Sequence, residues 1–166
     1  MTCCTTVRMT LILNGSPFNS FKPKRGIRQG DPISPYLFIL CMEVLSRLIN
    51  RKAEEGLLKG FRLSRRTPAI NHLFFADNVF LLGKFSINEA FYFKSCLNEF
   101  CNWSSQSFNS QKSNIFFNRA ANRQVSNLIT AMIGFSQILP NSLYLGLPMF
   151  RSGKAADFNF LVEGDA

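Results

Sequence analysis

Two short apolar runs held apart by a polar step constrain this chain most. Ile70, Leu73, Phe74 and Phe75 precede Ala76-Asp77-Asn78, and Val79, Phe80, Leu81 and Leu82 follow it. A buried run of strand length, a tight polar centre and a second buried run predict a β-hairpin over Phe74–Leu82. Asp and Asn both tolerate the left-handed backbone that a two-residue hairpin turn demands, so Asp77-Asn78 is the expected turn. Two readings stay open at this point: a turn and nothing more, or a carboxylate presented at a hairpin tip.

Around this hairpin, helix and strand patterns alternate. Val7, Met9, Leu11 and Leu13 alternate with other residues and run into Asn14-Gly15, as a strand entering a turn does. A loop from Gly26 to Asp31 follows. Ser34 stands just before Pro35, a favourable helix start because proline needs no amide partner there. Leu37, Cys41, Val44 and Leu48 then recur at helical spacing, and Gly56 marks the end. Beyond the hairpin, Ser86 and Glu89 have capping-box spacing. Phe93, Cys96, Leu97 and Phe100 form the buried stripe of a second helix. Phe108 to Phe117 is strand-like, and Val125, Leu128, Ile129 and Met132 line a third helix that Gly134 closes. The order predicts a mixed α+β layer, and 166 residues suit one compact domain.

Charge narrows the class of partner. Lys and Arg outnumber Asp and Glu by 19 to 10, a net charge of +9, which fits a polyanionic partner and equally a soluble basic protein. Lys22, Lys24, Arg25 and Arg28 cluster with Phe18 and Phe21, while Arg62, Arg65 and Arg66 form a second group. Basic residues interleaved with aromatics suit phosphate contacts beside base stacking; a solvated loop with inward phenylalanines is the other reading. No apolar run approaches the ~18–20 residues of a spanning helix. Met1 to Thr10 lacks a long apolar stretch behind a basic start, so no signal peptide is expected and an intracellular setting, nuclear or cytoplasmic, follows. The cysteines at 3, 4, 41, 96 and 101 form no C-x-x-C pair, and His72 is the single histidine. Reduced thiols, not structural zinc, are the expectation.

Longer motifs supply an identity for the hairpin. Arg25-Gly26-Ile27-Arg28-Gln29-Gly30-Asp31-Pro32-Ile33-Ser34-Pro35-Tyr36-Leu37-Phe38 resembles the RQGDPLSPLLF signature of reverse transcriptases from LINE-type (non-LTR) retrotransposons. His72 and the Phe74-to-Asn78 segment resemble that family's HLLFADD element, in the same order along the chain. Lys112 to Phe117 resembles its KS-x-I-x-F strand, and Tyr144-Leu145-Gly146-Leu147-Pro148 matches its YLGLP element. The resemblance runs from about Asn14 to Leu161, with Lys154 to Leu161 still in pattern.

The resemblance implies a partial palm of the right-hand reverse transcriptase fold over residues 1–150. The start of the following connection would occupy 151–166, with the fingers and first palm motif missing. It implies RNA-directed DNA polymerisation, with an RNA template, a DNA primer and deoxynucleoside triphosphates as partners and Mg2+ as cofactor. Asp77 would hold metal, with Asn78 beside it. Arg28, Gln29, Gly30 and Asp31 would line the nucleotide and template side, and Lys112 would act near the leaving pyrophosphate. Plainer roles stand beside these: a turn and cap for Asp31, a solvent-facing strand lysine for Lys112, a hydrogen-bonded strand residue for His72. Apolar packing would likewise account for Tyr144 to Pro148.

Two departures from the family pattern matter for chemistry. Two-metal nucleotidyl transfer needs a cluster of carboxylates. The family draws one from an AFD-type strand upstream of the RQGDP loop, yet no Asp or Glu precedes Asp31 in this chain. At the turn, Asn78 replaces the second Asp; its amide oxygen can coordinate but brings no charge. The expectation is a degenerate fragment, inactive by itself and poorly soluble or only partly folded, since an incomplete palm sheet leaves an unpaired edge. A non-catalytic nucleic-acid-binding remnant and a non-functional product of a decayed element are the competing readings.

Overall fold

Asn14 and Gly15 both take positive φ, 49° and 79°, the pattern of the turn whose twist suits a two-residue hairpin. They join β1 (Met9–Leu13) to β2 (Ser16–Phe21), antiparallel, with Met9 opposite Phe21 and Leu11 opposite Phe18. The register slips between Thr10 and Leu11, leaving Asn19, φ 38°, as the extra residue of a bulge. Pairing gathers Met9, Leu11, Leu13, Phe18 and Phe21 on one face, and every one of them is exposed. The computed structural model describes residues 8–24, 26–28, 30–118 and 120–138, with the backbone of 143–144 and 147–148. The expectations for Val7, Arg25, Gln29 and residues 151–166 lie outside the described residues.

Helix α1 (Ser34–Glu54) starts with proline in its first turn and ends at Glu55, beyond which Gly56 takes φ 73°. Its inward positions are Met42, Leu45 and Ile49. The spacing read from sequence, Leu37-Cys41-Val44-Leu48, is helical but points about one residue off that axis, and Val44 is exposed. Tyr36, Ile39 and Leu40 are exposed as well, so apolar side chains cover most of this helix and periodicity could not select its inner face. At its last turn Arg51 and Lys52 pair with Glu55, at 3.1 and 2.8 Å, exposed contacts that contribute little.

Strands β3 (His72–Phe75) and β4 (Asn78–Leu81) form the expected hairpin. The buried runs predicted there are half right. His72 and Phe74 are half-buried, whereas Leu73 and Phe75, on the opposite face, are 53% and 62% exposed. Among the described residues this sheet has two strands, so one face packs and the other lies open.

In α2 (Ile87–Ser104), Ser86 stands directly before the first helical residue and its carbonyl accepts from the Ala90 amide at 3.1 Å. Phe93, Cys96, Leu97 and Phe100 are all buried, as the stripe predicts. The Phe108–Phe117 strand is reduced to β5 (Asn114–Ile115), which pairs in parallel with β6 (Ser136–Gln137). The reason is local: the Asn109 side chain accepts from the Gln111 and Lys112 amides, at 2.9 and 3.2 Å, and bends the chain into a turn. Helix α3 (Arg123–Ile133) is capped by Asn122, whose side chain accepts from Gln124 and Val125, and closed by Gly134 in the left-handed region. Ile129 is buried while Leu128, expected to line this helix inwardly, is 57% exposed. Strands β7 (Leu143–Tyr144) and β8 (Leu147–Pro148) make a short antiparallel pair in the YLGLP segment.

The chain divides into two compact units. One comprises Met1–Lys84 with Tyr92–Ser107 and holds β1 to β4, α1 and most of α2; the other comprises Phe85–Phe91 with Phe108–Ala166. Helices and small sheets mix in an α+β arrangement, and the hairpin, the RQGDP loop and α1 share the first unit. No helix among the described residues is long and apolar enough to cross a membrane.

Candidate active site

The site begins with the turn. Phe75 pairs with Asn78, so the two central residues are Ala76 and Asp77, one step earlier than the sequence reading placed them. Ala76 has φ 49°, and Asp77 is not in the left-handed region. A positive φ at the first central position is the type II′ pattern, usually filled by glycine. An alanine held there costs about 1–2 kcal/mol. The turn therefore lifts the Asp77 carboxylate to an exposed tip, and Asn78 becomes the first residue of β4, half-buried.

Behind the tip, β3 is fastened to α1. His72 Nε2 lies 2.9 Å from the Ser46 hydroxyl. Its ring stands 4.7 Å from that of Phe74, the next residue on the same face. His72 Nδ1 is buried and meets no partner. Burial pushes the imidazole pKa below its usual value, with Glu43 on α1 opposing the shift. His72 is thus a hydrogen-bonded strand residue, as its plainer reading has it. Ser46 was not singled out by sequence. The signal available was His72 alternating with Phe74 onto the packed face, where an imidazole needs a polar partner.

The loop feeding α1 is organised by two side chains. The Asp31 carboxylate accepts from the Ile33 amide at 3.0 Å, and its backbone carbonyl accepts from Ser34 at 3.0 Å. Ser34, itself buried, donates its hydroxyl to the Arg28 carbonyl at 2.6 Å. Sequence spacing suggested Ser34 as the helix-starting cap; instead Ile33 occupies that position without a side-chain bond, and Ser34 holds the loop from inside the first turn. Gly30 takes φ 82°, which a side chain would resist. Arg28 and Gly30 are exposed, and Asp31 is half-buried, its carboxylate closing a local turn on the Ile33 amide.

Lys112 belongs to the second unit. It is exposed and sits in the Asn109 turn, before β5 begins, so the strand position expected for it is not observed.

A pair of magnesium ions would need several hard carboxylate oxygens. Among the described residues no group of three or more His, Cys, Asp or Glu side chains is disposed to hold a metal. The tip supplies one carboxylate, Asp77, next to a neutral amide, and the Asp31 carboxylate accepts from the Ile33 amide. These donors do not fit a two-metal centre.

A family profile described as "Reverse transcriptase (RNA-dependent DNA polymerase)" matches residues 1–161. An "Uncharacterized mitochondrial protein AtMg01250" of Arabidopsis thaliana is 57% identical over 70 residues. That alignment spans 42% of this chain and 57% of the relative, little more than half its length. With the loop, α1 and the Asp77 hairpin following one another inside the matched span, the chain belongs to the reverse transcriptase (RNA-dependent DNA polymerase) family.

Proposed function

We propose that the chain is part of the palm of a LINE-type (non-LTR) reverse transcriptase, degenerate at its FADD turn, that does not polymerise DNA by itself. The palm portion spans residues 1–150, and 151–166 begin the connection that follows. In the active ancestor Asp77 faced metal, and Arg28, Gln29, Gly30 and Asp31 lined the nucleotide and template side. Lys112 served the pyrophosphate side. The observation that carries the reading is the hairpin tip: one exposed carboxylate on a strained two-residue turn, with Asn78 drawn into β4 beside it. A tip of that shape presents a single charge, and two divalent ions need more.

Primer extension on an RNA template with Mg2+ and the four deoxynucleoside triphosphates tests this. The expected result is incorporation no greater than in a protein-free control. Template-dependent extension that Asp77→Ala abolishes would overturn it.

A second reading is favoured by charge. Lys22, Lys24 and Arg28 are exposed and closely follow, along the chain, Phe18 and Phe21, both about half exposed, so one short segment offers aromatic surface and cations together. On this reading the chain binds nucleic acid without chemistry.

A further inference from the structure

Beyond Glu55, the stretch between α1 and β3 carries cations alone. From Gly56 to Ala76 the sequence contains Lys59, Arg62, Arg65 and Arg66 and no Asp or Glu. Its middle is a closed loop. Phe61 and Ile70 pair across it through two backbone bonds, Phe61 N–H to Ile70 O at 2.9 Å and Ile70 N–H to Phe61 O at 2.8 Å. Inside that clasp, Ser64 and Thr67 tie a tight turn. The Thr67 hydroxyl donates to the Ser64 carbonyl and accepts from the Ser64 amide, both at 3.0 Å, and the Ser64 hydroxyl accepts from the Arg66 amide at 3.3 Å.

Arg65 and Arg66 are therefore the two central residues of an internally bonded tip, with Arg62 between the Phe61–Ile70 bridge and that turn. All three are exposed, and none has an acidic partner among the described residues. This contrasts with Arg47 and Arg51 of α1, paired with Glu43 on the same helix and with Glu55 at its C-terminal cap. Leu63 and Phe61, 75% and 50% exposed, flank Arg62. Like charges held together on a preformed turn repel, and a polyanion is what neutralises them. Flanking apolar and aromatic surface favours a partner that also offers flat faces, which a nucleic acid does and an acidic peptide does not.

We infer that the Arg62–Thr67 loop is a nucleic-acid docking surface, contacting phosphates through Arg62, Arg65 and Arg66, separate from the RQGDP loop. The inference deepens the nucleic-acid-binding reading and rests on it. Phosphate contacts of this kind hold a strand in place without reading its sequence.

The test is fluorescence anisotropy of the full chain with a labelled single-stranded oligonucleotide across a series of salt concentrations. Wild type is compared with Arg62→Gln/Arg65→Gln/Arg66→Gln and with the corresponding triple lysine variant. Loss of three phosphate contacts lowers the magnitude of the slope of log K against log salt by about 2, at ~0.7 per contact on single strands. The lysine variant keeps the slope near that of wild type, because the charge is retained. Circular dichroism melting of each variant verifies that an exposed loop was changed and not the fold. Wild-type binding with an unchanged slope in the glutamine variant would overturn this inference alone. Absence of any wild-type binding would overturn the underlying reading too. Competition by poly-glutamate as effective as competition by oligonucleotide of equal charge would reassign the surface to acidic proteins and overturn the inference.

Discussion

At the scale of single residues, buried Gly60 and half-buried His72 hold the surroundings of the hairpin. Gly60 is buried with φ 63°; a Cβ there would meet the Asn71 side chain and stand 2.9 Å from the Ile70 carbonyl. Asn71 Oδ1 is itself buried without a partner, so the space over Gly60 is fully used. Gly60→Ala combines a left-handed backbone with overpacking, and we expect a loss of about 2–4 kcal/mol in denaturant unfolding. The second position is His72. Its pKa is lowered on folding by burial, so the unfolded chain binds the proton more readily. Stability is then complete above its ordinary value near 6.5 and declines as pH falls through it, levelling off below the depressed folded value. Melting curves between about pH 5 and 8 should show this decline, and His72→Gln should flatten it. An unchanged pH profile in that variant would remove His72 from the account.

At the scale of elements, β3–β4 shows one face to solvent and β1–β2 is exposed along both of its strands. The outward face of β3 carries Leu73 and Phe75, and one face of β1–β2 carries five apolar side chains. Exposed apolar edge strands invite association. Leu73→Thr with Phe75→Thr should raise the soluble fraction in sedimentation assays while changing stability by no more than about 0.5 kcal/mol. Helix α3 depends on its ends: Asn122→Ala removes bonds to two amides and should cost about 1 kcal/mol. What was legible in sequence follows from such local signals. The Phe93-Cys96-Leu97-Phe100 stripe and the Gly134 stop were readable because polar residues and a glycine delimit them. The inner face of α1 was not, since apolar residues surround most of that helix. The Phe108–Phe117 strand failed because Asn109 favours its own turn over extension. The turn register was off by one because pairing of four-residue strands, not the Asp-Asn preference, fixes which residues sit at the tip.

For the whole molecule, the family is shown by the matched span, and the proposed lack of polymerisation rests on the single carboxylate at the hairpin tip. The loop, α1 and the hairpin succeed one another in one unit, tied by the Ser46–His72 contact, and this frame was readable from the RQGDP and FAD segments. The Ser46 contact, the strained Ala76 and the Ser34 bond to Arg28 were not, because each depends on backbone placed by distant residues. On the proposed reading, the frame carries too few carboxylates to hold two divalent ions. Electron paramagnetic resonance of Mn2+, titrated into the full chain with a deoxynucleoside triphosphate present, measures this most directly. We predict that wild type and Asp77→Ala leave the same amount of free Mn2+ signal. Two ions bound tightly per chain by the wild type, and released by Asp77→Ala, would contradict the account.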